Sequence, residues 1–206
     1  MSEQERLQNG RPVRFMMDKS ENGDGEAEKP SWKKEVWEWV KSIGIALVIV
    51  LFLNHFVFNL STVQGYSMEP TLEEKEWLFI NRVVYLFGEP ERGDIVILRD
   101  PKRNLGRNQY LVKRVIGVPG DTVEIRGGKL YINGEWFEEP YIDTPIEDGD
   151  MAPVTIGEDE YFVMGDNRHW RSSLDSREFG PVPESLIKGR ADFVIWPLSR
   201  AGGLKD

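Results

Sequence analysis

The sequence predicts a mainly β fold, an antiparallel barrel- or sandwich-like domain, preceded by one membrane-spanning helix. Three observations carry this expectation. Beyond Leu72, short runs of Val, Ile, Leu and aromatic residues alternate with Gly, Pro, Asn and Asp turn signals. No amphipathic stretch of ten or more residues at helical spacing interrupts them. Ahead of them lies a nearly continuous apolar run, from Val40 to Leu60.

In chain order, residues 1–36 are polar, charge-mixed and without periodicity, which predicts a disordered tail. Residues 37–60 are expected to be the membrane helix. The 21 residues Val40–Leu60 come close to the roughly 20 that a spanning helix needs. A cleaved signal peptide is the competing reading. It fits less well, because the run starts far from Met1 and no Ala-x-Ala-like site follows it. Trp32, Trp37 and Trp39 stand where an interfacial aromatic belt would be, and His55 would lie within or at the edge of the bilayer. Lys29, Lys33, Lys34 and Lys41 precede Ile43, where the unbroken apolar stretch begins, and only Lys75 follows within twenty residues of Leu60. That asymmetry predicts a single-pass plasma-membrane protein with a cytoplasmic N-terminus and residues 61–206 outside.

In that outer domain E-W-L-F-I-N-R-V, D-I-V-I-L, Y-L-V-K-R-V-I-G-V, T-V-E-I, K-L-Y-I, Y-F-V-M and A-D-F-V-I-W read as strands. Gly127-Gly128 and Asn133-Gly134 are hairpin signals. Glu138–Glu160 is acidic and bears Pro and Gly, so an exposed loop is expected. Its Asp148-Gly149-Asp150 matches no calcium-loop spacing.

Composition excludes several chemistries. The 206 residues carry a formal net charge of −9, which argues against nucleic acid as a partner. There is no cysteine, so disulfides, thiolate metal sites and a thiol nucleophile are impossible. The only histidines are His55 and His169.

Two neighbouring cations then stand out. Lys113 and Arg114 fall in a strand, so they face opposite sides, each with aliphatic residues two positions away. Either the long stems pack at a sheet edge with their heads in water, or one cation is desolvated on purpose. Burial lowers a lysine's pKa toward neutrality; an arginine stays charged. If one of the pair acts as a base, it is Lys113. A nucleophile for such a base is Ser67, between Gly65 and Pro70 in a constrained loop just past the apolar run. A third segment, M-G-D-N-R-H-W-R-S-S-L-D-S-R, gathers Asp166, Asn167, Arg168, Ser172, Ser173, Asp175, Ser176 and Arg177 after a hydrophobic strand.

In this order the three segments resemble the bacterial type I signal peptidases, membrane-bound serine proteases that use a Ser-Lys dyad. S-M-E-P-T-L is similar to the family's nucleophile motif, K-R-V-I-G-V-P-G-D to its lysine motif, and G-D-N-R with S-x-D-S-R to its third box. The resemblance implies Ser67 as nucleophile and Lys113 as general base. Ser173 would orient the lysine, and Asp166, Asp175 and Arg177 would shape the site. It also implies a β catalytic core with a small inserted β region between Asp121 and Gly157, a monomer, and no cofactor or metal. Signal-peptide-bearing preproteins would be the substrates, with small residues at the first and third positions before the cut, and the lipid bilayer the other partner. Two features depart from the family pattern. Gly65 stands where some members have a serine that helps the oxyanion hole, so only the Ser67 N–H can be named as donor. The loop from Arg168 to Ser173 is two residues longer than usual, which leaves Ser172 as an alternative to Ser173.

Two other readings compete. A Ser67–His169–Asp triad is the alternative within catalysis. An anchored β module that binds ligands without chemistry is the alternative outside it.

Overall fold

The computed structural model describes residues 32–52, 58–102 and 110–204. The chain divides into a unit ending at Gly44 and a second from Ile45 onward. The expected tail lies outside the described residues except for Trp32–Val36, which are helical. Helix α1 spans Trp32–Phe52, and its side chains from Trp32 to Leu51 are exposed.

The expected helix of residues 37–60 is corrected at its far end. Strand β1 covers Phe58–Thr62, and its first three residues pair with β2 (Trp77–Asn81). Residues 58–60 therefore pair along one edge with a sheet strand. No helix among the described residues is long and apolar enough to cross a membrane. The reason is in the sequence of α1. Lys33, Lys34, Glu35, Glu38 and Lys41 occupy its first half and leave Ser42–Phe52 as the uncharged part. At 1.5 Å per residue that part covers about 16 Å, roughly half of a hydrocarbon core. His55 falls outside the described residues.

The remaining elements are α2 (Val84–Phe87), β3 (Ile95–Arg99), β4 (Tyr110–Gly117), β5 (Thr122–Arg126), β6 (Lys129–Ile132), β7 (Glu135–Trp136), β8 (Met151–Thr155), β9 (Glu160–Met164), α3 (Ser176–Phe179), β10 (Val182–Pro183), β11 (Ile187–Trp196) and β12 (Gly202–Gly203). All strand pairs are antiparallel. The larger sheet runs β1-β2-β11-β3-β4-β9-β10, with β12 on β11; the smaller runs β7-β6-β5-β8. The mainly β, antiparallel expectation holds, and the hairpins expected between Asp121 and Gly157 form the smaller sheet.

Glu138–Glu160 departs from the expected exposed loop. Met151–Thr155 forms β8 and pairs with β5, while Ile146 and Ile156 are buried in the small sheet's core. Only Met151 and Val154 hint at a strand here, and Pro153 is tolerable because β8 is an edge. Pairing and burial, not local propensity, make this strand.

Period-2 alternation distributes the core. Ile95 and Ile97 of β3 join one buried cluster with Met68, Leu72, Leu78 and Val194. Val96 and Leu98 join another with Val115, Tyr161 and Val163. Both faces of β3 are thus buried, which is why D-I-V-I-L reads as a continuous apolar run.

The larger sheet curls. Four strand spacings separate β1 from β4 in the sheet order, about 19 Å in a flat sheet. Yet residues of both line one cavity of about 220 Å³.

Candidate active site

The loop after β1 is held from its own core-facing side. Met68 and Leu72 are fully buried, and the Leu72 N–H donates to the Met68 carbonyl at 2.9 Å. Glu69 N–H closes a turn onto Tyr66 O at 3.2 Å. With Met68 buried, neighbouring Ser67 faces the cleft. The Ser67 N–H is not used by any of the loop's own hydrogen bonds among the described residues.

The third segment staples the same loop from the other side. Asn167 donates its backbone N–H to Ser67 O at 3.1 Å and its side-chain amide to Tyr66 O at 3.0 Å. Thr71 Oγ1 donates to Asp166 Oδ2 at 2.6 Å. The position of Ser67 is therefore fixed by backbone acceptors on both sides of it.

Strand β4 brings the second group. Lys113 is 2% exposed, and its Nζ is hydrogen-bonded to Ser67 Oγ at 2.5 Å. Burial pushes the ammonium down from 10.5 to about 8; Asp175 and Asp166 pull it partly back, and Arg177 adds to the lowering. Arg114, on the opposite face, is also buried. It forms a bidentate pair with Asp166 at 2.9 and 2.7 Å, donates to Gly93 O at 2.9 Å, and stacks 3.9 Å from the Tyr141 ring centroid. Of the two cations, the one with a carboxylate keeps its charge, and the one without a direct carboxylate partner is pushed toward neutrality.

Asp175 caps α3 and accepts from the Gly165 N–H at 3.1 Å and from Arg177 Nε and Nη2, each at 2.8 Å. Burial alone would raise the Asp175 carboxyl. The Arg177 guanidinium, the Ser173 hydroxyl and the Gly165 N–H outweigh it and hold it below the usual range. Arg177 also donates to Asp148 Oδ2 at 2.7 Å. Asp148 further accepts from the Arg171 N–H, and Asp150 from the Gly127 N–H, so this acidic triplet is engaged by protein donors.

The expected Ser173 hydrogen bond to Lys113 is not formed. Ser173 is buried beside Gly165; its Oγ has no partner in good hydrogen-bond geometry, although the hydroxyl is close enough to Asp175 to help lower that carboxyl's pKa. Ser172 instead closes a turn onto His169 O at 3.1 Å and is only half-buried. The alternative triad is not assembled either. His169 is half exposed and pairs with Glu147 at 3.4 Å and Asp143 at 3.8 Å, and no hydrogen bond among the described residues joins it to Ser67. Gly65 has φ +86 with open space where a Cβ would be. A serine there would fit sterically but would strain the backbone that leads into Ser67.

Two residues of the third segment have roles that the sequence alone does not assign. Arg168 is fully buried and forms a bidentate pair with Glu139 at 2.8 and 2.6 Å, tying the third segment to the small sheet's edge loop. Its signal was visible in G-D-N-R, but Glu139 lay in the presumed loop. The other is Gly165. A Cβ there would lie 2.3 Å from Ser67 O and 2.4 Å from Ser173 Oγ. Gly165→Ala should therefore displace the loop that carries Ser67, slowing any reaction at Ser67 by about 100-fold, as ångström-scale misplacement does. It should also cost about 1–3 kcal/mol of overpacking. Steady-state kinetics and a thermal melt check both; wild-type kcat would mean that the loop absorbs the methyl without moving Ser67.

The cleft above Ser67 and Lys113 is lined by consecutive residues, Ser61–Gly65 on one wall and Tyr110–Lys113 on the other, with Met68 and Ile97 between. Consecutive lining means that backbone edges face the cavity. β1 is an edge strand, and β9 pairs with β4 only from Arg114 onward. Among the described residues, both walls therefore have backbone groups free to pair with an extended chain. A second cavity of about 280 Å³ continues along β1 through Ser61, Ile97 and Tyr110.

A family model described as "Signal peptidase, peptidase S26" matches residues 36–196. Signal peptidase I S of Bacillus subtilis (strain 168) is 42% identical over 184 residues, covering 84% of this chain and 96% of that protein. A signal peptidase I of Leptolyngbya laminosa is 37% identical over 182 residues, covering 86% and 88% respectively. The crystal structure of a signal peptidase I from Enterococcus faecalis V583 is similar at 34% identity and a TM-score of 0.43, covering 50% of this chain and 97% of that one.

Proposed function

The chain belongs to the signal peptidase family, peptidase S26, and is therefore a serine peptidase acting on signal peptides; on that premise we propose that Ser67 and Lys113 are its catalytic dyad. The observation that carries this reading is the 2.5 Å contact between Ser67 Oγ and a buried Lys113 at the floor of a cleft. Neutral Lys113 takes the Ser67 proton as Oγ attacks the scissile carbonyl. The freed Ser67 N–H donates to the developing oxyanion. Protonated Lys113 then returns the proton to the leaving amine. Water, deprotonated by Lys113 in turn, hydrolyses the acyl-enzyme. Asp175 and Arg177, locked to each other, and Arg114, locked to Asp166, hold the walls around the lysine. The preprotein lies extended between the two free edges, adding a strand to each.

Detergent-solubilised protein should convert a preprotein to its mature form, and kcat/KM should rise about tenfold per pH unit up to about 8. That inflection belongs to the coupled Ser67–Lys113 pair. A profile already flat at pH 6 would rule out a lysine base of this kind.

We further infer that the chain is anchored through the apolar run that starts in α1. Support comes from the exposed Ile43–Leu51 side chains, the Trp residues that flank them and the lysines on the near side. Protease added to intact cells should then cut beyond Ser61 and spare the segment before Lys41. Digestion confined to the N-terminal segment would refute this orientation.

A further inference from the structure

Arg200 sits on the short 3₁₀ turn Leu198–Arg200 that follows β11. It is separated by more than 120 positions in sequence from the loop it touches. All three guanidinium nitrogens are directed at the segment that follows Ser67. Nε donates to Glu76 Oε1 at 2.5 Å, Nη1 pairs with Glu73 Oε1 at 3.2 Å, and Nη2 donates to the Thr71 carbonyl at 3.1 Å. Glu76 is 1% exposed, and its other oxygen accepts from the Glu73 N–H at 3.0 Å. Among the described residues Arg200 is the only cation paired with Glu76.

We propose that Arg200 is a positioning residue for the nucleophile, clamping the loop Thr71–Glu76 from the far side of the molecule's cleft so that Ser67 stays in register with Lys113. This rests on the reading of Ser67 and Lys113 as the dyad. The route is a short chain of contacts. A buried carboxylate without its cation is costly, so without Arg200 the loop must open to let water reach Glu76. Thr71 loses the donor on its carbonyl at the same time, while its hydroxyl still holds Asp166. Opening at Thr71 pulls on Leu72, whose N–H holds the Met68 carbonyl, one residue from the nucleophile. The clamp touches no lining residue of the cleft. Its loss should appear in the chemical step and leave substrate binding nearly as it was.

Arg200→Ala should lower kcat about 10- to 100-fold with KM within twofold of wild type. The acid limb of kcat/KM should move to higher pH, because an opened loop admits water to Lys113. Arg200→Lys, which keeps the charge but not the fork, should recover part of kcat. The double variant E76Q/R200A removes the buried charge along with its partner. It should therefore be more active than Arg200→Ala alone, even though it carries one more substitution. Kinetics are to be read well below each variant's melting temperature, so that unfolded protein cannot mimic the loss. Wild-type kcat in Arg200→Ala, or a double variant no better than the single, would overturn the clamp. A fall in activity matched by the unfolded fraction, with an unmoved acid limb, would do the same. Wild-type protein that cleaves no preprotein would instead refute the dyad reading on which the clamp rests.

Discussion

Ser67→Ala will lower preprotein processing on the order of 10⁴- to 10⁶-fold, the scale seen when a covalent nucleophile is deleted. The fold will survive. Met68 and Leu72 keep the loop seated in the core, and the bonds from Asn167 to this loop go to carbonyls that the variant retains. The measurement is a single-turnover assay alongside a melt, so that lost chemistry is separated from lost structure. Residual processing within tenfold of wild type would show that another group attacks the carbonyl.

Lys113→Met will also abolish processing, yet will melt at a higher temperature than wild type at pH 7. The side chain keeps its volume and sheds a buried charge. The lysine's pKa falls from 10.5 in the unfolded chain to about 8 in the fold. At about 1.4 kcal/mol per unit the burial penalty is roughly 3 kcal/mol. The lost hydrogen bond to Ser67 offsets about 1 kcal/mol of the gain. The pH dependence fixes the sign. Between 8 and 10.5 the unfolded chain holds more protons than the folded one, so wild-type stability rises with pH across that window. Below 8 the penalty is present in full. The gap between variant and wild type should accordingly be widest below pH 8 and shrink toward 10.5. Lys113→Arg, unable to shed its charge, will be inactive and less stable than wild type. If Lys113→Met melts below wild type at every pH, the lysine is not held desolvated.

Much of this was legible in the sequence because it is written in local pattern. Short apolar runs between turn signals marked β3, β4, β5, β6 and β9, and Asn133-Gly134 marked the β6–β7 hairpin, where Asn133 takes φ 55 and Gly134 φ 84. Ser67 and Lys113 stood out because a constrained serine and a cation in an apolar strand are both locally anomalous. What was hidden depends on partners far away in sequence. Glu139 and Asp148 read as solvated acids until Arg168 and Arg177, each 29 positions later, are folded onto them. Strand β8 has too few apolar residues to declare itself and exists because β5 offers it an edge. Gly165 is required for the closeness of Ser67 O and Ser173, a property of packing that no turn signal announces. The end of the apolar run was misplaced for a related reason. Phe58–Leu60 suit a bilayer and a sheet equally by composition, and the pairing to β2 decides between them.

The opposed cations of β4 also bear on how the chain finds its native state. Hydrophobic strands can often slip along a neighbour and pay little until their faces are exchanged. Here a slip of one residue that put Val115 in the place of Arg114 would turn the guanidinium to the cleft side and strand the Asp166 carboxylate in the core with no counterion. The opposite slip would put Lys113 among Tyr141, Asp166 and the Gly93 carbonyl, a niche shaped for a planar fork. Misregistered pairings of β4 on β3 are therefore penalised in either direction. Single-residue deletions within Tyr110–Val112 should accordingly yield protein that fails to fold, well before any question of catalysis arises.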